Sequence, residues 1–380
     1  MTNARIKPDA GNPLIGVLGG GQLGRFLVNT AREWDIRLSI LDPDPEAPAG
    51  RVAHRFQVGN LLDYETVIEF ARDLDILTVE IENVNADALE AIEARIPVRP
   101  SSQILRMVQD KGLQKEFYRK NGIPTSEFLL IAGKLELPES PERYPAILKL
   151  RRGGYDGRGV TRINSPAECP NGFDMPSVLE ELVPIEKEIS VIVSRNSKGQ
   201  TAAYPSVEMV FNSDHVLDYQ VAPADVSVEV EAESKRIALD LAEILKLEGI
   251  LAVEMFITKS GKILVNEIAP RPHNSGHSTI EGNRTSQYEQ HLRMLLGYPP
   301  GPTDLIQPHG LLNVLGSGAG EPVVHGMPEA LAIPGVHVHL YGKAMSKQGR
   351  KMGHVTVLAD DRAILLDRLN QLRTLRVGPV

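Results

Sequence analysis

The chain has 380 residues, of which 42% are hydrophobic and 24% are charged, and its formal net charge is −8 at pH 7. These values are typical of a globular protein that is too long for one ordinary core, so we expect two or three domains. The excess of acidic residues argues against a general nucleic-acid-binding surface, and any anionic ligand would need a local basic site.

The single cysteine, Cys169, excludes an internal disulfide framework and favours a reducing compartment. No segment approaches the roughly 18 consecutive apolar residues of a membrane helix, and the polar N-terminus predicts no signal peptide. We therefore expect a cytoplasmic protein that binds neither membranes nor nucleic acid.

The N-terminal segment has the pattern of a dinucleotide-binding unit. A short apolar strand at 14–18 leads directly into GGGQLG at 19–24, and a second strand ends at Asp42. A G-x-G-x-x-G turn between a strand and a helix, with an acidic residue after the next strand, is typical of nicotinamide dinucleotide sites. This pattern makes an NAD-dependent dehydrogenase one candidate, although such glycines also serve close packing of a helix on a strand.

Two later features of this half also carry polar groups. A strand predicted at 76–84 has an acidic end, and Glu82 lies there, where open α/β sheets place their ligands. Ser101 and Ser102 can cap a following helix that contains Arg106.

The middle of the chain combines a strand lysine with a glycine-rich loop. Lys149 lies within the apolar strand predicted at 146–150, and a lysine flanked in this way is costly to bury unless it contacts an anion. The next residues, RRGGYDGRGV at 151–160, include four glycines and three arginines. Their backbone N–H groups and basic side chains can close over phosphates, although the G-K-[ST] ending of a Walker A motif is missing.

The segment at 251–268 predicts a β-hairpin. Two β-rich apolar runs, at 251–258 and 263–268, flank Ser260 and Gly261, which form a typical two-residue turn. If those two residues form the loop, the residue numbers of the two partners in every cross-strand pair add up to the same value.

That register places Glu254 directly opposite Glu267, and Phe256 opposite Val265 on a shared face of the sheet. Opposed side chains have Cβ atoms about 4.5–5.5 Å apart, and two like charges at that separation destabilise the pair. A cation between the two carboxylates removes the repulsion, and Mg²⁺ is commonly held by one or two carboxylates plus substrate phosphates. A solvated edge hairpin with two exposed glutamates is the alternative interpretation.

The stretch NEIAPRPHNSGH at 266–277 resembles the metal strand and substrate loop of the ATP-grasp ligases, in particular the family of N5-carboxyaminoimidazole ribonucleotide synthetases. Four further motifs occur in that family's order: GGGQLGR, the strand lysine, GYDGRG, and a hinge at 178–183 followed by Glu188. The resemblance covers roughly residues 14–375. It implies an α/β (α+β) protein with the ATP-grasp fold and an N-terminal Rossmann-like domain. The implied domains are an N-terminal domain at 1–105, a central lid at 106–185 and a C-terminal domain at 186–380.

The resemblance also implies roles for individual residues. The metal ligands would be Glu254 and Glu267, holding Mg²⁺, or Mn²⁺ in its place. ATP would be bound by Arg106, Lys149, Gly154, Tyr155, Asp156, Gly157, Arg158, Gly159, Glu180, Glu181, Leu182, Val183, Glu188, Asn266 and Glu267. The acceptor would be bound by Gln22, Leu23, Glu82, Tyr155, Arg271, His273, Lys343, Arg350 and Lys351. The catalytic residues would be Arg158, Arg271, His273 and Asn274, with His273 either a base or a hydrogen-bond donor.

The implied reaction is the ATP-dependent carboxylation of 5-aminoimidazole ribonucleotide (AIR) by bicarbonate. Bicarbonate would attack the γ-phosphorus of ATP to give carboxyphosphate, and closure of the loop at 153–159 would protect that species from water. The AIR amine would then take up the carboxyl group, directly or through released CO₂. The resemblance further suggests a homodimer that acts in purine biosynthesis.

Three other functions remain open at this point, besides the dehydrogenase. A formate-dependent phosphoribosylglycinamide formyltransferase shares the acyl-phosphate chemistry, the Gly-rich turn and the basic clamp, although Gln22 and the residues 274–277 favour the carboxylating enzyme. A biotin carboxylase is disfavoured because the chain is short for that family. A non-catalytic ATP-binding module would bind nucleotide without releasing phosphate to an acceptor.

Overall fold

A computed structural model describes residues 13–154, 159–212 and 217–379. The predictions for Tyr155, Asp156, Gly157 and Arg158 lie outside the described residues. Among the described residues, no helix is both long enough and apolar enough to cross a membrane.

The N-terminal part is a five-stranded parallel sheet in the order β3-β2-β1-β4-β5. Its central strand β1 is buried at every position, as expected for a parallel strand covered by helices on both faces. The elements are β1 Leu14–Leu18, α1 Gln22–Glu33, β2 Arg37–Asp42, β3 Arg55–Val58, α2 Tyr64–Phe70, β4 Ile76–Val79, α3 Ala86–Glu93, β5 Val98–Arg99, α4 Ser102–Val108 and α5 Lys111–Lys120.

The central part is a four-stranded antiparallel sheet in the order β6-β9-β7-β8. One side of it covers a small apolar cluster that includes Ile131, Leu148 and Leu179. The elements are β6 Phe128–Ile131, β7 Ala146–Leu150, β8 Val160–Ile163 and β9 Ser177–Glu181.

The C-terminal part is built on a nine-stranded sheet, in which the order β15-β14-β10-β12-β13-β16-β19-β18 is extended by β11 pairing with β10. Strands β17 and β20 form a separate pair. The elements are β10 Ile185–Arg195, β11 Thr201–Ala203, β12 Val207–Phe211, β13 Leu217–Ala222, α6 Val228–Ile244, β14 Gly249–Thr258, β15 Ile263–Ala269, α7 Thr279–Gly282, α8 Gln287–Leu295, β16 His309–Leu315, β17 Val323–His325, α9 Met327–Leu331, β18 Val336–Leu340, β19 Lys351–Leu358, α10 Arg362–Gln371 and β20 Arg376–Gly378.

One face of this large sheet holds the apolar core. Helix α6 packs Ile237 and Leu241 against Val253 and Met255 of β14. Because side chains alternate between the faces of a strand, Glu254, between those two buried residues, projects from the opposite face. The functional side chains of the hairpin therefore point away from the core.

The predicted hairpin is present, but its register differs from the two-residue-turn prediction. Met255 pairs with Val265, and Phe256 with Leu264, so the placement of Phe256 opposite Val265 was wrong. The loop has three residues, because Thr258 N donates to Lys262 O at 2.8 Å. A β-bulge between Met255 and Glu254 then shifts the register by one residue, and Glu254 stands opposite Glu267 as predicted.

Two predicted strands, at 14–18 and 146–150, are confirmed with those bounds. The strand predicted at 76–84 is shorter and ends at Val79. The next residue, Glu80, accepts hydrogen bonds from the Gly-rich turn through its carboxylate. The three domain limits stay predictions.

Gly316 lies where β16 meets the connection at 342–350, and it leaves no room for a side chain. Its N–H donates to Arg350 O at 2.8 Å, and a Cβ atom would lie 2.1 Å from the backbone oxygen of Lys347. We expect Gly316→Ala to lower the free energy of unfolding by about 1–3 kcal/mol, and therefore the midpoint of urea unfolding, because the backbone must shift. Gly318→Ala is the control, since its Cβ would meet only Pro379 at 3.4 Å. Equal midpoints for the two variants would contradict this account.

Candidate active site

The β-bulge in the hairpin brings three polar side chains together. Asn266 is the extra residue, so that it and Glu267 both face the single residue Glu254 of the partner strand. Lys149 Nζ, which comes from the central sheet, donates to Asn266 Oδ1 at 3.0 Å. Lys111 Nζ, at the first residue of α5, contacts Glu267 Oε2 at 2.5 Å. The hairpin thus meets basic groups from two other elements.

The two opposed carboxylates have different electrostatic environments. Burial, together with the negative charge of Glu267, raises the pKa of Glu254 above its usual range. The Lys111 ammonium group lowers the pKa of Glu267. Among the described residues, a lysine is in direct contact with Glu267, whereas the ion-pair contact of Glu254 is with His273.

The donor set at the hairpin suits a hard divalent cation. Within residues 13–154, 159–212 and 217–379, no group of three or more His, Cys, Asp or Glu side chains is placed to hold a metal ion. Two carboxylates and an amide oxygen would therefore need further oxygen ligands, and Mg²⁺ commonly takes these from phosphates and water.

A buried glutamate ties two lysines together beneath the central sheet. Glu180 is only 4% exposed and contacts Lys115 at 2.9 Å and Lys149 at 3.0 Å, and Ser126 Oγ donates to it at 2.7 Å. Although burial opposes ionisation, Lys149 and Lys115 lower the pKa of Glu180 to about 2. The anion that Lys149 meets in this structure is therefore a protein carboxylate.

The predicted hinge residues border a cleft. Glu180, Glu181 and Leu182 line a cavity of about 360 Å³ together with Phe128 and Tyr144. None of the hairpin carboxylates lines this cavity. Burial raises the pKa of Glu188, the predicted ribose contact on β10, to about 7.

The loop after the hairpin joins the two predicted substrate regions. Arg271 Nε lies 2.8 Å from Glu82 Oε1 in the N-terminal part, and His273 Nε2 lies 3.4 Å from Glu254 Oε1. Within the described residues, both polar atoms of the Asn274 side chain are buried and have no hydrogen-bond partner.

His273 is a neutral donor in this arrangement. Burial and the charge of Arg271 lower its pKa to about 3. Its Nδ1 accepts a hydrogen bond from Ser275 N at 3.3 Å, which places the ring proton of the neutral imidazole on Nε2, the nitrogen that lies 3.4 Å from Glu254 Oε1. Of the two roles predicted for His273, this tautomer favours hydrogen-bond donation over proton abstraction.

The backbone N–H groups of the Gly-rich turn donate hydrogen bonds to carboxylates of the protein itself. Gly20 N donates to Asp42 Oδ2 at 2.6 Å, while Gly21 N and Gly24 N donate to the two oxygens of Glu80 at 2.8 and 2.9 Å. A dinucleotide pyrophosphate would need these N–H groups. The geometry therefore argues against the dehydrogenase.

The predicted acceptor contacts at the start of α1 differ in exposure. Leu23 is only 8% exposed and packs in the core that α1 shares with α8, whereas Gln22 is half-buried.

A column of three imidazoles, of which His277 and His354 are buried and His339 is half-buried, connects the substrate loop to the C-terminal strands. The rings of His277 and His354 stack with centroids 4.5 Å apart, and those of His354 and His339 with centroids 4.6 Å apart. Tyr288 Oη lies 2.6 Å from Nδ1 of His277, and Tyr341 Oη lies 3.0 Å from Nδ1 of His354. The column fixes the substrate loop against β18 and β19, which flank the predicted phosphate clamp.

Two of the three clamp side chains bind backbone carbonyls. Lys343 Nζ donates to Lys351 O at 2.7 Å, and Arg350 Nη1 donates to Met345 O at 2.8 Å. These contacts hold Lys343 and Arg350 within the connection between β18 and β19.

Sequence reasoning missed Lys111, Lys115 and Glu80. A signal for Lys111 existed, since it directly follows Asp110, whose side chain caps α5. Arg106, which was predicted to bind phosphate, contacts Asp87 and Glu90 at 2.6 Å instead. Its role in ATP binding stays a prediction.

Comparison with known proteins shows which families this chain resembles. Three family models match in succession: a ribonucleotide synthetase preATP-grasp domain at 13–109, an ATP-grasp domain at 116–288 and a phosphoribosylaminoimidazole carboxylase C-terminal domain at 310–368. The N5-carboxyaminoimidazole ribonucleotide synthase of Bacillus subtilis is 36% identical over 94% of this chain and 94% of its own length. The chain belongs to this family of ATP-grasp ligases.

Two further similarities extend the comparison. The phosphoribosylaminoimidazole carboxylase of Schizosaccharomyces pombe is 38% identical over 91% of this chain, which spans 65% of that protein. A crystal structure of N5-carboxyaminoimidazole synthase from Aspergillus clavatus, in complex with ADP and AIR, is 34% identical with a TM-score of 0.86, covering 95% of this chain and 98% of the other. The predicted ATP-grasp fold with its N-terminal Rossmann-like domain is confirmed, and the dehydrogenase is excluded.

Glu254→Gln would remove one of the opposed carboxylates at nearly constant volume. Because the folded-state pKa of Glu254 is raised above about 4.3, the unfolded-state value, wild-type stability falls as the pH rises between the two values. In EDTA we expect the variant to melt higher than the wild type at about pH 8.5, and the difference to shrink toward about pH 5.5.

Calorimetry with a matched control checks this. Glu243→Gln removes the carboxylate of an exposed pair with Arg195 and should show no such gain. Equal melting of Glu254→Gln and the wild type at the higher pH would mean that Lys111 already neutralises the hairpin.

Proposed function

We propose that this chain carboxylates AIR with ATP and bicarbonate, giving N5-carboxyaminoimidazole ribonucleotide, ADP and phosphate. The observation that carries the proposal is the position of the 271–277 loop. It contacts Glu254 of the hairpin through His273 and Glu82 of the N-terminal sheet through Arg271. An acceptor bound between those contacts lies beside the carboxylates that would organise phosphoryl transfer, and the A. clavatus relative was crystallised with ADP and AIR.

ATP would lie between the central sheet and the hairpin. The backbone of residues 180–183 would bind the adenine, and Glu188 would accept hydrogen bonds from ribose hydroxyls. Lys149 and Lys111 would hold the phosphates, exchanging their carboxylate partners for phosphate oxygens. The predicted contacts of Arg106 and of residues 154–159 complete this assignment.

Glu254, Glu267 and Asn266 would hold Mg²⁺, or Mn²⁺. The fit rests on the hairpin itself, which opposes two carboxylates, of which Glu267 has a lysine in direct contact among the described residues and Glu254 does not. When bound, the ion would offset negative charge on the transferring phosphoryl group.

In the first step, a bicarbonate oxygen bonds to the γ-phosphorus, and the bond to the bridging oxygen breaks with its electrons leaving on ADP. In the second step, the AIR amine nitrogen bonds to the carboxyl carbon of carboxyphosphate. Phosphate leaves and the amine gives up a proton. Arg271 and the unpartnered amide of Asn274 would orient bicarbonate and carboxyphosphate, with neutral His273 as a donor.

Two clamp features support a ribonucleotide acceptor. Lys343, Arg350 and Lys351 offer charge-assisted donors to a phosphate dianion. The imidazole column connects the strands beside that clamp to the loop that would face the base. We also propose that the enzyme is a cytoplasmic homodimer, which light scattering on the purified protein would test.

Phosphate release from Mg-ATP distinguishes the candidate functions. AIR with bicarbonate should give AIR-dependent phosphate release and an acid-labile carboxylated product. Release only with glycinamide ribonucleotide and formate would transfer the function to the formyltransferase type. Nucleotide binding without release in either assay would indicate a non-catalytic module.

Glu267→Gln tests the hairpin assignment. Losing one carboxylate from the proposed metal pair should lower kcat by about 10²–10³-fold. Circular dichroism should stay near wild type, while the melting temperature should fall because Lys111 loses its carboxylate partner. Glu289→Gln, which removes a surface partner of Arg293 on α8, should retain activity. Wild-type turnover in Glu267→Gln would refute the metal assignment.

A further inference from the structure

Glu80 acts on the Gly-rich turn in a way that none of the predicted roles explains. It directly follows β4, and its two carboxylate oxygens each accept one backbone N–H, from Gly21 at 2.8 Å and from Gly24 at 2.9 Å. These N–H groups lie at the start of α1, where the helix dipole and unpaired donors favour an anion. The carboxylate thus fills the position in which a dinucleotide-binding turn holds phosphate.

The glycines of the turn fit this carboxylate closely. A Cβ atom at Gly19 would lie 2.6 Å from Glu80 Cγ, and one at Gly21 would lie 2.8 Å from Glu80 Oε1. Side chains at either position would push the glutamate out of reach of the N–H groups. The G-x-G-x-x-G spacing is therefore explained here by the close approach of a protein carboxylate.

Glu80 also lies between two parts of the proposed acceptor site. On one side it holds the turn that begins α1 at Gln22. On the other side it interacts electrostatically with Arg271, the residue that contacts Glu82. The turn and the substrate loop come from distant parts of the chain, and this carboxylate attracts both.

We propose that Glu80 is a built-in substitute for a bound phosphate and a positioning residue for the acceptor. Glu80 occupies the backbone N–H groups that a dinucleotide would need. It also holds the turn and Arg271 at the separation that AIR requires. The first half of the proposal concerns anion binding by the turn. The second half rests on the proposed function.

Glu80→Ala would leave the N–H groups of Gly21 and Gly24 without their acceptor. We expect the KM for AIR to rise about tenfold or more, the usual effect of losing charge-assisted hydrogen bonds. The KM for ATP should change less than about twofold, because the hydrogen bonds of Glu80 go to Gly21 and Gly24, which are not among the proposed ATP contacts. Acetate, which can occupy the space of the removed side chain, should lower the KM for AIR again and raise the melting temperature of the variant but not of the wild type.

Kinetics are best measured at about pH 8, with Glu80 ionised, because burial raises its pKa to about 7 against the opposing N–H groups of Gly24 and Gly21. Glu80→Gln fills the space but presents an amide N–H₂ to donors, so acetate should not rescue it. If Glu80→Ala does not fold, the KM for AIR can still be measured with Glu80→Gln.

Glu93→Ala is a matched control. Glu93 accepts from Ser102 N at 2.6 Å and from Ser102 Oγ at 2.9 Å at the start of α4, so it makes the same kind of contact outside the acceptor site. It should lower the melting temperature and leave the KM for AIR unchanged.

Three results would overturn the inference. They are equal shifts of the KM values for AIR and ATP in Glu80→Ala, the same kinetic change in Glu93→Ala, and no effect of acetate on Glu80→Ala. If the wild type does not turn over AIR, the proposed function fails, while acetate-dependent melting still decides whether the turn binds an anion.

Discussion

Two glutamates that face each other across one hairpin govern the rest of this site. Like charges directly opposite in a β-ladder repel, and burial of Glu254 makes the repulsion stronger. The fold tolerates the pair because Lys111 contacts Glu267 and because His273 Nε2 lies 3.4 Å from Glu254 Oε1. These two contacts come from α5 and from the substrate loop, so relief of the repulsion connects two other parts of the chain to the hairpin.

The opposed glutamates could be predicted from sequence, but for a reason that was only partly right. The Ser260–Gly261 signal favoured a two-residue turn, whereas the chain forms a three-residue loop with Gly261 at φ 78°. That error shifts the register by one residue, and the bulge at Asn266 shifts it back before Glu254. Polar residues within strands gave no sign of the bulge. Its consequence is chemical, since an unbulged strand would place Asn266 and Glu267 on opposite faces.

The resemblance of ordered motifs to a known family predicted the ATP-grasp architecture. Local patterns predicted the strands that carry Lys149 and Glu254, because periodicity and turn residues are short-range signals. They could not predict partners distant in sequence. The contact of Lys149 with Glu180 and that of Arg271 with Glu82 depend on how three sheets come together. The Gly-rich turn illustrates the same limit. Its spacing was compatible with a dinucleotide, and only Glu80, 59 residues after Gly21, reveals what the turn holds.

The site balances its charges internally. Lys111 contacts Glu267, Lys149 contacts Glu180, and Arg271 contacts Glu82, so these three cations, which are proposed to hold anionic ligands, already have carboxylate partners. Removing one member of a buried pair leaves an uncompensated charge, which is strongly destabilising. A nucleotide that arrives with its metal ion avoids this problem, because phosphates can take over the lysines while the ion takes over the released carboxylates. Under the proposed function, exchange of partners rather than filling of unpaired charges is therefore the physical basis on which this site would bind Mg-ATP without losing its own stability.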